Sequence, residues 1–154
     1  MRIVVLPGDG IGPEIIEATI AVLDAADAKH HLGLTYEHHD IGFAALNTIG
    51  TTLQDSVVEA ARAADGIILG PVSHQDYPSR AEGGINPSGH LRITLDLWAN
   101  IRPARSRDGI PSYGRTPMDL VIVRENTEGF YADRNMFVGP GEFMPTPDMA
   151  LAVR

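Results

Sequence analysis

The sequence predicts an α/β fold in which helices flank a mainly parallel sheet, and the order of its apolar segments supports this. Short apolar runs typical of buried strands occupy residues 2–6, 32–41 and 66–70. Helical patterns lie between them, one beginning at Pro13 and one covering residues 53–64. A βαβαβ order of this kind is typical of parallel strands joined by right-handed crossovers. Hydrophobic residues make up 44% of the chain, which is enough to bury a core.

A glycine-rich loop, residues 7–12 with the sequence PGDGIG, joins the first strand candidate to the first helix candidate. Its glycines are spaced G-x-G-x-G, so the G-x-G-x-x-G fingerprint of dinucleotide-binding folds is not met. On spacing alone, a tight turn that needs glycine conformations is favoured over a phosphate-binding loop. Ligands of parallel sheets bind beyond the carboxyl ends of the strands, so the long loop of residues 71–88 is the first place to expect a site.

The next segment predicts a short helix. Asn86 is a suitable N-cap, and Pro87 fits the first helical turn, where a missing N–H costs nothing. Leu91, Leu95 and Trp98 recur at positions i, i+4 and i+7, so we expect them to form one apolar stripe along this helix.

Arginines lie on this helix and on the two extended segments that follow it. Arg92 belongs to the helix and precedes Asp96 by four residues, a spacing at which the two side chains can pair. Arg102 lies on an extended exit, because Pro103 disfavours a helical conformation for the residue before it. Arg124 ends a fourth strand candidate. If these guanidinium groups converge, they form a receptor for a small molecule with two or more carboxylates.

The last part of the chain is rich in glycine and proline. Residues 133–147 predict an irregular arm for this reason. After it, Thr146 is a suitable N-cap and Pro147 suits the first helical position, so a helix is expected to begin at residue 147.

The composition excludes several classes of partner and site. The formal net charge of −8 argues against nucleic acid and acidic membranes as partners. The absence of cysteine excludes disulfides and cysteine-ligated metals. His30, His31, His38 and His39 are expected to be structural or solvated. The sequence has no signal-peptide pattern at its start and no apolar run long enough to span a membrane. We therefore expect a cytoplasmic protein.

Three motifs resemble those of the β-decarboxylating dehydrogenases, the family of isocitrate, isopropylmalate, homoisocitrate and tartrate/malate-type enzymes. The motifs are LPGDGIGPE at residues 6–14, LRITLDLWANIRP at 91–103 and VRENTEGFY at 123–131. They occur in the family's order and at about its spacing. Family members are longer than this chain, which resembles their N-terminal half. The resemblance implies an incomplete isocitrate/isopropylmalate dehydrogenase-like fold, with residues 1–97 in a first domain and residues 98–154 beginning a second.

The resemblance also implies a reaction: oxidative decarboxylation of a 2-hydroxy di- or tricarboxylic acid that depends on a metal and on NAD or NADP. The divalent ion would be Mg²⁺ or Mn²⁺, and its ligands are expected in the missing C-terminal half, with no metal ligand in this chain. A homodimer is expected, and the chain alone is expected to be inactive. The alternative is a non-catalytic module that binds a carboxylate or a partner protein.

Individual residues match functional positions of the family. Arg92, Arg102 and Arg124 match its substrate-carboxylate arginines, and Tyr131 matches the tyrosine that helps to protonate the enol carbon after decarboxylation.

Other matches concern the cofactor and the variable part of the substrate. Pro71, Val72 and Ser73 match the segment that faces the nicotinamide and its ribose. Asn86 and Ser88 occupy the slots in which isocitrate-type members have S-x-N, in reversed order, so both are candidate substrate-binding residues and the substrate stays open.

Overall fold

The computed structural model describes residues 1–110, 114, 116–126, 136–138 and 150–152, the last two segments as backbone. The chain divides into two compact units, Met1–Leu95 and Asp96–Arg154. The domain assignment that the family resemblance implies, with a boundary after residue 97, concerns a longer enzyme and stays a prediction.

A parallel sheet organises the first unit. Its strands are β1 (Arg2–Leu6), β2 (Thr35–His38) and β3 (Gly66–Leu69), and their order is β2-β1-β3. All pairings are parallel, with Val4 of β1 between Glu37 of β2 and Ile67 of β3. The predicted parallel sheet is therefore confirmed.

Strand β2 is shorter than the predicted run of residues 32–41. His31 has a left-handed conformation (φ 54°), and Asp27 accepts hydrogen bonds from the backbone of Gly33 (2.7 Å) and Leu34 (3.0 Å). These contacts form a turn, so pairing with β1 begins only at Thr35, whose partner is Arg2.

The helices of this unit are α1 (Gly12–His30), α2 (Gly42–Ile49), α3 (Asp55–Ala63) and α4 (Pro87–Thr94). Helix α2 was not predicted from the sequence. Its N-cap residue is Ile41, whose side chain cannot accept a hydrogen bond from the first turn. The usual sequence signal for a helix start is therefore missing.

Helix α4 ends before the predicted apolar stripe is complete. Leu91 is buried and Leu95 is the C-cap, but Trp98 lies beyond the helix with 62% of its surface exposed. The chain leaves the helix because Asp96 is left-handed, with φ 51°. The predicted apolar stripe is therefore wrong at Trp98. Asp96 also lies beyond the end of α4, so the helical spacing that was expected to pair it with Arg92 is absent.

The buried core lies against the central strand of the sheet. Val4 and Leu6 on one face of β1 belong to the same apolar cluster as side chains from α3 and α4. Val5 points to the opposite face and is also fully buried, so both faces of β1 are covered. The cluster consists of Val4, Leu6, Ile41, Leu53, Val57, Val58, Ala61 and Leu91.

Thr52 fixes the end of the long loop that leads to α4. Its side chain is completely buried, and its Oγ1 donates to the Ile85 carbonyl (2.6 Å) and accepts from the Ile85 N–H (2.8 Å). The Thr52 N–H donates to the Gly83 carbonyl (3.0 Å). The residues just before α4 are thereby held to the turn before α3.

Thr52→Val is expected to lower the free energy of unfolding by about 1–3 kcal/mol, because the partly buried N–H and carbonyl of Ile85 lose their hydroxyl partner. Thr48→Val is the matched control: its hydroxyl is exposed and donates to the Ala44 carbonyl of its own helix (2.9 Å). Urea unfolding measures both changes. Equal losses in the two variants would contradict this account of Thr52.

The second unit contains antiparallel pairs of strands. Strand β4 (Ala99–Arg105) pairs with β5 (Asp119–Glu125), and β6 (Met136–Val138) pairs with β7 (Ala150–Ala152). The predicted irregular arm, residues 133–147, therefore contains a strand, and the helix expected from residue 147 is wrong at residues 150–152. Pairing across the sheet supplies backbone hydrogen bonds there and overrides the helix preference of alanine.

No helix in the part of the chain that the structure describes is both long enough and apolar enough to cross a membrane.

Candidate functional site

The glycine-rich loop after β1 packs against the loop after β3. The Asp9 N–H donates to the Pro71 carbonyl (2.8 Å), and Gly8 has φ 77°. A Cβ at Gly8 would overlap the Pro71 carbonyl, and one at Gly70 would overlap the Pro7 carbonyl. These glycines allow two backbones to approach at the carboxyl edge of the sheet, meaning the edge at which β1 and β3 end.

The Asp9 carboxylate is the centre of this contact, and only 8% of the residue is exposed. Its Oδ1 accepts a hydrogen bond from the Phe43 N–H (2.8 Å). Its Oδ2 accepts one from the Ser73 N–H (2.9 Å) and another from the Tyr77 hydroxyl. Hydrogen bonds from several donors are what a buried carboxylate requires.

Sequence analysis did not assign this role to Asp9. An acidic residue inside a glycine turn after a buried strand was the only signal, and its partners are separated from it by 34, 64 and 68 residues. Gly42, at the start of α2, contributes by having no side chain, because a Cβ there would meet both carboxylate oxygens.

Tyr77 is held as a neutral hydrogen-bond donor. Burial is the main cause that raises the pKa of Tyr77, and the hydrogen bond and negative charge of Asp9 raise it further. The ring stands edge-on to Phe43, with centroids 5.0 Å apart and planes at 85°. The phenol and the ring contact therefore join the loop after β3 to α2.

Tyr77→Phe is expected to reduce the loss of stability at alkaline pH. An unfolded tyrosine has a pKa of about 10. Because folding raises the pKa of Tyr77, its contribution is fully present below about pH 10 and is lost as the pH rises through the folded value. Urea unfolding between about pH 8 and about pH 11 measures the slope. Tyr36, whose pKa burial also raises, is present in both proteins, so equal slopes would contradict this role of Tyr77.

The predicted cofactor-side segment lies at the carboxyl edge of the sheet. Pro71 and Ser73 are fixed through their backbone by Asp9, and Val72 packs its partly buried side chain against the core. The three residues thus have a defined backbone path directly after β3.

Asn86 is the N-cap of α4, as predicted, and its Oδ1 accepts a hydrogen bond from the Gly89 N–H (3.1 Å). Ser88 lies in the first turn of α4, four residues before Arg92, so the two side chains lie on the same face of the helix. The other end of α4 is held by Arg62, whose Nη2 donates to the Thr94 carbonyl (3.0 Å).

Arg102 and Arg124 lie on one face of the two-stranded β4–β5 ribbon. Asn100 is directly opposite Arg124, and Ile122 is opposite Arg102. Side chains alternate along a strand and opposite residues share a face, so the two arginines are diagonal neighbours with Asn100 beside both. The Arg102 Nε donates to the Asn100 Oδ1 (2.9 Å), which orients the guanidinium.

Arg105 shows the contrasting arrangement on the other face of the ribbon. Its Nη2 lies 2.8 Å from Oδ2 of Asp119, the residue opposite it in the register. An exposed pair of this kind contributes little to stability.

One predicted site residue receives no structural description. Tyr131 lies outside the described residues. Within the residues that the structure describes, there is no group of three or more His, Asp or Glu side chains placed to hold a metal ion.

The family follows from comparison with known proteins. A family model described as isocitrate/isopropylmalate dehydrogenase matches residues 2–144. The chain belongs to this family. The family is one of enzymes, and the mixed α/β fold with a parallel sheet is the fold that the resemblance implied.

Individual relatives agree with this assignment. 3-Isopropylmalate dehydrogenase from Staphylococcus aureus is 38% identical over an alignment of 139 residues, with 84% of this chain and 39% of that enzyme covered. Isocitrate dehydrogenase from Methylococcus capsulatus has a TM-score of 0.69 and 31% identity, with 99% of this chain and 41% of that chain covered. A β-decarboxylating dehydrogenase from Thermococcus kodakarensis has a TM-score of 0.64 and 30% identity, with coverages of 99% and 39%. The chain thus spans about two fifths of the length of these relatives.

Proposed function

We propose that this chain is part of a dehydrogenase that oxidatively decarboxylates a 2-hydroxy di- or tricarboxylic acid with NAD or NADP and a divalent ion. The family membership supports the reaction class. The observation that carries the proposal for this chain is the placement of Arg102 and Arg124 on one face of the β4–β5 ribbon.

The arginines are proposed to bind substrate carboxylates. A carboxylate matches the forked geometry of a guanidinium group and carries the opposite charge, so two guanidinium groups on one face can bind a molecule with two carboxylates. The Asn100 contact to the Arg102 Nε supports a role of this kind, since it leaves the two terminal nitrogens of the guanidinium for a bidentate bond. Arg92 is proposed to contact the substrate as well, with Ser88 beside it on α4.

Further residues are proposed to contact the cofactor and the substrate. Pro71, Val72 and Ser73 are proposed to face the nicotinamide cofactor, supported by their position at the carboxyl edge of the sheet. Asn86 is proposed to lie on the substrate side, and Tyr131 to protonate the enol carbon. When bound, Mg²⁺ or Mn²⁺ would polarise the substrate hydroxyl and carboxylate. The described residues offer no cluster that fits this ion, so none of them is assigned to it.

We also propose that the protein acts as a homodimer. The support is the second face of the β4–β5 ribbon, where Ile101, Val121 and Val123 are each more than half exposed. Apolar side chains grouped on one strand face are typical of association surfaces. The cytoplasmic location expected from the sequence stays a prediction.

Arg102→Gln in the full-length native protein is expected to lower kcat/KM for the hydroxy acid by about 100-fold or more, because a charged pair in the transition-state complex is lost. Arg2→Gln is the control, since Arg2 lies at the edge where the strands begin and its Nη1 is 3.6 Å from Oε2 of Glu37 in an exposed pair. It should change kcat/KM by less than about twofold. NADH or NADPH formation is measured with Mg²⁺ and a panel of isopropylmalate, isocitrate, malate and tartrate.

The outcomes separate the alternatives. Equal effects of Arg102→Gln and Arg2→Gln would contradict the assignment of the arginines. Binding of a panel member without turnover would favour a non-catalytic carboxylate-binding module. If no panel member is bound and none is turned over, the proposed function is wrong.

A further inference from the structure

We propose that Asp9 is a positioning residue for the nicotinamide cofactor, acting through the backbone of residues 71–73. The inference rests on the proposed function, in which this segment faces the cofactor. Asp9 lies far from residue 71 in the chain, so the glycine-rich motif alone does not indicate this part in cofactor binding.

The first step is the geometry of the attachment. Asp9 holds the chain on both sides of Val72, because its N–H donates to the Pro71 carbonyl (2.8 Å) and its Oδ2 accepts from the Ser73 N–H (2.9 Å). Val72 itself packs against the core. Bonds before and after one residue restrict the rotation of the peptide planes between them, so the path of this segment is set by a residue on another loop.

The second step is that Asp9 has little freedom of its own. The Phe43 N–H holds its Oδ1, and the Tyr77 hydroxyl shares its Oδ2 with Ser73. Gly42 lies directly against the carboxylate, where a Cβ would meet Oδ1 and Oδ2. A buried carboxylate that loses one hydrogen-bond donor keeps a charge that is poorly solvated. Movement of Asp9 away from any one donor therefore costs free energy, and the carboxylate stays in one position.

The third step separates positioning from stability. Asp27 has the same chemistry at the opposite edge of the sheet, where it accepts the N–H groups of Gly33 (2.7 Å) and Leu34 (3.0 Å) in the turn before β2. Ligands of parallel sheets bind at the carboxyl edge and not at the edge where the strands begin. Both aspartates secure a loop, but only Asp9 secures one at the ligand edge.

Asparagine tests the two positions in the same way. In Asp9→Asn, the amide NH₂ must face the N–H of either Phe43 or Ser73, so one hydrogen bond is replaced by a contact between two donors. In Asp27→Asn, the NH₂ must likewise face the N–H of Gly33 or Leu34. Each substitution therefore removes one charge and at least one backbone hydrogen bond.

A second pair of variants leaves Asp9 unchanged. Gly42→Ala places a methyl group against the carboxylate and is expected to displace it from Ser73. Gly50→Ala is the control, because Gly50 has the same left-handed conformation (φ 78° against 67°) but open space around its Cβ position. The backbone strain is thus common to both variants, whereas the contact with Asp9 is particular to Gly42.

The experiment measures NADH and NADPH binding to the full-length native protein by fluorescence titration, with urea unfolding of each variant in parallel. All four variants should lower the urea midpoint. Asp9→Asn and Gly42→Ala should raise the Kd for the preferred nucleotide about tenfold, equivalent to about 1.4 kcal/mol. Asp27→Asn and Gly50→Ala should change the Kd by less than about twofold, because they act at a distance from the carboxyl edge or without touching Asp9.

The inference is overturned if Asp9→Asn and Gly42→Ala bind the nucleotide as the parent does, or if the controls weaken binding equally. Either result leaves the proposed cofactor role of residues 71–73 standing. If the parent protein binds neither NADH nor NADPH, the cofactor assignment fails and this inference fails with it. Nucleotide binding by the parent protein therefore distinguishes failure of this inference from failure of the cofactor assignment. If one of the test variants does not fold, the other still decides the question.

Discussion

Burial of the Asp9 carboxylate is the constraint on which the arrangement of the first unit depends. A carboxylate removed from water is stable only when hydrogen-bond donors replace the water, and here the donors come from the start of α2 and from the loop after β3. Because these segments are far apart in the chain, the contact can form only when the sheet is assembled. The parallel sheet and the loops at its carboxyl edge are therefore one cooperative structure.

The parts of the fold that could be predicted from the sequence are those with a local physical cause. Strands β1 and β3 are short apolar runs bounded by glycine or polar residues, and the cap at Asn86 needs only a side chain three residues from its partner. Helix α2 was missed because Ile41 gives no capping signal, and Trp98 was misplaced because nothing local shows that Asp96 is left-handed. The pairing of β6 with β7 depends on residues 12 or more positions apart.

The same limit applies to the candidate site. Arg92, Arg102 and Arg124 were identified from their motifs, but the shared face of Arg102 and Arg124 follows from a strand register that spacing does not give. Asp9 lay within a motif that was recognised, yet its partners could not be inferred from the neighbouring residues. Sequence reasoning therefore found the charged groups that face outward more readily than the buried group that holds a loop in place.

The alternation of the β4–β5 ribbon has a consequence for how this segment can change in evolution. Arg102 and Ile101 are adjacent in sequence, but they occupy opposite faces, so the face that carries Arg102 and Arg124 is distinct from the one that carries Ile101 and Val123. Deleting a single residue within β4 would move every later side chain to the other face and so exchange guanidinium groups with aliphatic ones. We therefore expect β4 to tolerate substitutions better than insertions or deletions, and changes in length to be tolerated better in the segment that follows the bond between the Ser106 N–H and the Met118 carbonyl (2.7 Å).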